Sequence, residues 1–469
     1  MNSASRRFLM ILASWALVVS AAFCVLTFSQ VASTTRVNYE LSGGWWFDGS
    51  AFARKRFYVV NGSFTEKKPK RVDDTIDLGD LYVVPPFGDA HTHAFDNPND
   101  IEKVVAANLR DGIFYALSLT NSIRGKRSVA AFVNKPSSMD VAYADAGLTA
   151  TLGHPILSAE VTANHIPWDQ LGQHWQQLLK SHTAEGDVYF VIDDEADLMR
   201  KWPAIIGSKP DIIKIYLLDT ERFEEKKKST NTIDDKGLNP ALVPSIVRRA
   251  HLSGLRVAAH VETAADVRVA VAAGVDIIAH LPGLAPKADE SPARYELTES
   301  DARVMARKGI TVIATAWLAE RLAAPKPWLS GAAAMADVAQ LERAKKIQRA
   351  GLNLLKSHGV RIAIGADLFE NASREAQYLK QLGVFSQREI LDMWSRTTPR
   401  LIFPNRRIGR LRVGYEASFV ALSCDPTTRF ECVREITVRM KNGALVPVPP
   451  SDTHSDLGSM TAGNIRMLK

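Results

Sequence analysis

Cysteine is scarce in this chain, with three among 469 residues. Cys24 falls in an N-terminal apolar stretch, and Cys424 and Cys432 flank an Asp-Pro turn in SCDPTTRFEC. That count excludes a disulfide-built scaffold, and neither late cysteine has the partners of a zinc cluster. Whether the two are bonded to each other stays open at this point. A strong excess of one charge is also missing. The net charge is +7, the basic residues are scattered, and no aromatic-basic stripe or nucleic-acid motif accompanies them. Nucleic acid is therefore not an expected partner, and the mild basic balance favours solubility and weak attraction to anionic surfaces. Internal repeats and low-complexity tracts are absent. Long apolar runs are limited to one, Phe8 to Phe28, so membrane contact is expected through the N-terminal segment only. With 46% hydrophobic and 23% charged residues, the rest reads as ordinary globular protein.

Arg6 and Arg7 precede the apolar run, which is the pattern of an export segment over residues 1–33. The run exceeds the usual signal core of about 7–15 residues. It also reaches the roughly 20 residues needed to span a bilayer. A cleaved signal ending near VAS (31–33) and a retained anchor over 8–28 both stand. In either case the basic N-terminus stays inside, and the body is expected outside, in the periplasm or medium.

Short strand-like pieces, FYVVNGSF and DTIDLGDLYVV near the start, ASFVALS and EITVRMKNGALVPV near the end, bracket a long alternation of strand and helix. Examples are DIIKIYLL, LRVAAH, VDIIAH, ITVIAT and VRIAIGAD, separated by helical segments that stop at glycines such as Gly254 and Gly274. Repeated strand–helix units imply a parallel sheet. About eight units suit a closed α/β architecture, the (β/α)8 TIM barrel. The polar stretch 221–237, ERFEEKKKSTNTIDDKG, reads as a mobile solvated loop on the active face, and residues 451–469 as a polar tail.

Polar residues end several of the apolar strands. His91 and His93 close VVPPFGDAHTH, and period-two alternation sends both to one face. His260 closes LRVAAH, His280 closes VDIIAH, Asp367 closes IAIGAD, and Lys214 sits inside DIIKIYLL. Such groups are costly to bury alone, and the C-terminal ends of barrel strands are where catalytic groups stand. Four imidazoles and a carboxylate match the donors of zinc or a similar divalent ion. An ammonium cannot ligate a metal, but desolvation beside cations pushes lysine toward its neutral form. A neutral Lys214 amine can take up carbon dioxide and become a carbamate, a carboxylate on a long arm. Tyr216 shares parity with Lys214, and His154 lies in LGHP; either could reach the pocket. His251 reads as packing. Arg124, Lys126 and Arg127 read as a solvated basic loop.

In this order the set resembles the amidohydrolase superfamily, whose pattern is H-x-H on the first strand, a carboxylated Lys on the fourth, His on the fifth and sixth, and Asp on the eighth. VAAHVETAADVRVAVAAGVDIIAHLPG and IGRLRVGYEASFVAL are similar to family segments, and DIIKIYLLD is most similar to dipeptidases and carboxypeptidases of the Xaa-Pro, Xaa-Arg/Lys and imidazolonepropionase-like group. The resemblance implies a barrel over 86–404 and a small composite β-sandwich from both chain ends, 37–85 plus 405–448. It implies two divalent ions, zinc first, bridged by the Lys214 carbamate. His91 and His93 would hold one ion and His260 and His280 the other. Asp367 would orient an activated hydroxide and carry its proton to the leaving amine, with Asp89 in support. The implied activity is hydrolysis of an amide-type C–N bond in an N-acyl amino acid, dipeptide or cyclic amide. A lactonase or esterase on the same site, or a non-catalytic metal-binding barrel, are the alternatives. Two departures stand out. The Pro-Gly before DAHTH has become Pro86-Phe87-Gly88, and Thr263 stands where deaminases carry a glutamate.

Overall fold

The computed structural model describes residues 37–325, 335–369 and 371–447. The export segment and the polar tail expected from the sequence lie outside the described residues. Among those described, no helix is long and apolar enough to cross a membrane.

The two chain ends build a pair of sheets. One has four strands in the order Ser63–Thr65, Phe57–Val60, Tyr39–Ser42, Asp74–Asp77. The other has six, in which Tyr82–Val84 pairs with Phe419–Leu422 and so stitches the start of the chain to its end. Alternation along these strands turns Leu41, Phe57, Val59, Val83 and Phe419 into one apolar core around the fully buried Trp46. The Trp46 ring meets Phe57 edge-on at 4.8 Å and Phe419 at 5.8 Å, the geometry the ring quadrupoles favour. Cys424 and Cys432 are disulfide-bonded, with Cα atoms 5.5 Å apart.

Between the ends runs the parallel series: Phe87–Thr92, Ile113–Ser118, Asp140–Tyr143 continuing as Gly147–Thr149, Ile212–Tyr216, Arg256–His260, Ile277–Ala279, Thr311–Ile313 and Arg361–Ala363. The strands are buried along nearly their whole length, as expected where helices cover the outer face. The closed-barrel expectation is met in part. The ladders fall into a three-stranded and a seven-stranded sheet rather than one continuous circuit. The third strand breaks at Asp145, which takes a left-handed backbone, and an added strand, Tyr189–Val191, pairs with its second half. Backbone hydrogen bonds bridge the seams: Asp211 N donates to Tyr143 O at 2.7 Å, and Ala90 N to Ile364 O at 2.9 Å.

Capping explains the helix boundaries. Thr263 and Asp266 form a capping box that starts Ala264–Ala273, and Gly274 ends it with φ 89°. Thr263, the residue in the deaminase position, thus has a local structural task. Three readings need correction. The stretch after Ile212–Tyr216 is not simply a solvated loop. It contains a helical turn, Phe223–Lys226, and folds back so that Lys236 is buried and Lys226 pairs with Asp219. His251 is exposed and bonds Asp276 at 3.0 Å instead of packing. The basic residues 124–127 form part of a helix, Ile123–Val129, where Arg124 pairs with Asp187 and Lys126 with Asp145.

Candidate metal centre

Six residues converge, five at or just beyond strand ends and Lys214 from within Ile212–Tyr216, close enough to act on His91 and His260. His91 lies in the first parallel strand and His93 just beyond it, their rings 5.2 Å apart. Both face Asp367, whose Oδ1 lies 3.0 Å from His93 Nε2 and 3.6 Å from His91 Nε2. His280 follows Ile277–Ala279, with its ring 4.8 Å from His91 and 4.6 Å from His260. Each of His91, His280 and Asp367 offers one ligand atom to a group spanning no more than 4.8 Å. Asp367 is not the last residue of a regular strand. Arg361–Ala363 ends earlier, and the chain continues against the first strand through Asp367 N donating to His91 O at 2.6 Å.

Hydrogen bonds set the imidazole tautomers. His93 Nδ1 lies 2.9 Å from the Thr120 carbonyl, which can only accept, so Nδ1 carries a proton and Nε2 is the nitrogen turned toward Asp367. His280 Nδ1 is 2.7 Å from the Thr315 hydroxyl. Three buried atoms, His91 Nδ1, Lys214 Nζ and His260 Nε2, have no hydrogen-bond partner among the described residues. Buried polar atoms are normally satisfied, so this cluster of unpaired nitrogens beside a carboxylate suits a bound cation.

Burial holds His91, His260 and His280 well below the usual imidazole range, so they are neutral and ready to ligate. Burial also brings the Lys214 amine down to about 7, against a pull upward from Asp367. For Asp367 burial pushes upward, but His91, His93 and His280 prevail and keep the carboxyl well below its ordinary value.

Asp89 sits under the cluster, fully buried. Its Oδ1 accepts from His91 N and Ala366 N, each at 3.1 Å, so it ties the first and last strands through backbone rather than touching an imidazole. Burial lifts its carboxyl to about 7. His154 and Tyr216 do reach the site: the His154 ring is 4.7 Å from His260 and 5.2 Å from Tyr216, whose hydroxyl lies 2.5 Å from Thr120 Oγ1. Burial would depress His154, but Asp234 at 3.4 Å overrides it and raises the imidazole.

Sequence reasoning passed over Thr120, Asp234, Thr315 and Glu375. The first and third end the apolar stretches SLT and VIAT, the same signal that marked the histidines; Asp234 and Glu375 carry none. The backbone is left-handed at Thr120, His280, Thr315 and Asp367, conformations rare for non-glycine residues and concentrated here. An open cleft of about 560 Å³ lies elsewhere, lined by Trp45, Phe52, Tyr82 and Gln387 among others, and holds none of these residues.

A model of the amidohydrolase family matches residues 82–446. Solved structures with the same fold include ochratoxinase from A. niger, 18% identical with a TM-score of 0.66, covering 88% of this chain and 96% of that one. A Xaa-Pro dipeptidase with bound methionine is 17% identical with a TM-score of 0.63, covering 87% and 99%. Molinate hydrolase is 13% identical with a TM-score of 0.60, covering 89% and 97%. No curated relative matches the chain.

Proposed function

The chain belongs to the amidohydrolase family, and from that premise we propose an exported, metal-dependent hydrolase that cleaves an amide-type C–N bond in an N-acyl amino acid, dipeptide or cyclic amide. The observation that carries this is the meeting of His91, His93, Lys214, His260, His280 and Asp367, with three of their buried polar atoms unpaired among the described residues.

The donor set fits two divalent ions of the zinc type. His91 and His93 would hold one, His260 and His280 the other, with Asp367 and a carbamylated Lys214 contributing oxygens. Bound cations would supply Lewis acidity, lowering the pKa of water and polarising the scissile carbonyl. The rest is work for this chain's own groups. Asp367, ionised and facing the imidazoles, takes the proton of the attacking water and delivers it to the leaving amine nitrogen. Thr120 and Thr315 hold His93 and His280 with Nε2 directed away from their own hydrogen bonds. His154, raised toward its cationic form by Asp234, sits beside His260 and Tyr216, where it can meet an anionic group of the substrate.

The test is elemental analysis of protein purified without chelator, with hydrolysis screened across N-acyl amino acids, dipeptides and cyclic amides before and after chelation. About two ions per chain and chelator-sensitive turnover are expected. An absence of bound transition metal, with no turnover recovered on adding zinc, manganese or cobalt, would overturn the reading.

A further inference from the structure

The seventh parallel strand, Thr311–Ile313, supplies no member of the metal cluster, yet the turn after it touches two that do. Thr315 is fully buried and left-handed, with φ 43°. Its hydroxyl donates to Ala314 O at 2.9 Å, which leaves it to accept in its 2.7 Å contact with His280 Nδ1. The proton of His280 is thereby held on Nδ1. Two residues on, the Trp317 indole nitrogen donates to Ala366 O, immediately before Asp367.

The turn is clamped from behind. Glu375, with no solvent exposure, accepts from Ala316 N at 3.0 Å and Trp317 N at 2.8 Å, one N–H to each carboxylate oxygen. Gln348 Nε2 donates to Ala316 O at 2.9 Å, and the Tyr378 hydroxyl donates to Gln348 Oε1 at 3.0 Å, which settles the orientation of the amide. A buried carboxyl with no ion-pair partner among the described residues is costly to ionise, and burial lifts the Glu375 carboxyl to about 8. Here its hydrogen bonding goes to two backbone N–H groups of one turn.

We infer that Thr315 and Glu375 are positioning residues: Glu375 holds the turn at 315–317 so that Thr315 fixes the tautomer of His280 and Trp317 fixes the backbone that carries Asp367. This rests on the reading of His280 and Asp367 as metal-site residues. Groups hydrogen-bonded to a ligating histidine orient it, and their loss lowers metal affinity by roughly 10–100-fold.

The experiment uses the full chain, stripped of metal and titrated with zinc against a competing chelator. The imidazole tautomers are read by nitrogen-15 NMR in the metal-free state. Thr315→Val keeps the branched shape but lacks the acceptor. It should bind zinc roughly 10–100-fold more weakly and lose the uniform Nδ1–H tautomer of His280. Thr315→Ser should restore both. Glu375→Gln, which turns an NH2 toward a backbone N–H, should weaken zinc in the same direction. Should Thr315→Val fail to fold, Thr315→Ala carries the same expectation. Parental zinc affinity with an unchanged His280 tautomer in the variant would overturn the inference. If the parent itself binds no zinc, the metal-centre reading is what fails, and the tautomer comparison still decides the role of Thr315.

Discussion

Lys214 shows how much a single side chain carries here. It sits mid-strand, fully buried, its nitrogen unpaired among the described residues and 5.2 Å from the Tyr216 ring. With its pKa brought down to about 7 by burial, the amine is half neutral near pH 7 and largely neutral by pH 8. Only the neutral amine combines with carbon dioxide, releasing a proton as the carbamate forms. Metal loading of stripped protein in bicarbonate should therefore rise from pH 6 to pH 8, measured as ions bound per chain. Loading that is flat with pH would remove the carbamate. Lys214→Ala should lose metal and turnover, with partial recovery from a short carboxylic acid in the medium. Asp367 separates chemistry from metal holding. Asp367→Asn keeps the shape but removes the basic oxygen, so kcat should fall by roughly 10²–10⁴ while most of the metal stays. Near-normal kcat with a full metal complement would take Asp367 out of the mechanism.

At the scale of elements, the last strand is pressed against the first. A Cβ on Gly365 would lie 2.7 Å from His91 N and 2.8 Å from His91 Cβ, with Ile313 Cγ2 also at 2.7 Å. None of these is the free end of a long side chain, so Gly365→Ala must displace the strand that bears His91. Overpacking of this kind costs about 1–3 kcal/mol. A lower thermal midpoint together with weaker metal binding is the expected outcome, and unchanged metal affinity would show that the contact is absorbed elsewhere. The turn after the seventh strand would act in the same way, an element without a candidate ligand holding those that carry one. Capping boxes do the corresponding work outside the site, and loss of the Thr263 cap should cost about 1 kcal/mol in a denaturant titration.

For the whole molecule, the joint between the terminal sheets and the parallel series contains buried charge. Lys441, almost fully buried, donates to Asp140 Oδ1 at 2.5 Å, and Arg406 reaches both Asp140 at 2.7 Å and Glu416. Asp140 belongs to the third parallel strand, Lys441 to the strand Ile436–Lys441 near the chain's end. Asp140→Leu would leave Lys441 without its counter-ion, and removing one partner of a buried pair costs about 3–5 kcal/mol. The unfolding midpoint should drop accordingly, with metal affinity of the folded fraction little changed. A midpoint within error of the parent would mean that water or a neighbour replaces the carboxylate.

Local pattern alone specified a great deal. Period-two alternation put His91 and His93 on one face, apolar runs closed by histidine or aspartate marked the site, and helix stops at Gly254 and Gly274 revealed alternating strands and helices. These are short-range properties, set by backbone geometry and by the cost of burying a polar group. What only the tertiary structure decided depends on long-range contact. Asp89 bonds backbone just past the eighth parallel strand, 277 residues away. Glu375 and Asp234 act on partners far off in sequence, and the third strand breaks to admit an added neighbour. Cys424 and Cys432 are joined because their loop brings the Cα atoms to 5.5 Å, a separation that a bond between the sulfurs spans. A sequence shows which residues would be expensive to bury, but the partner that offsets the cost is chosen by packing, and packing exists only once the strands have met.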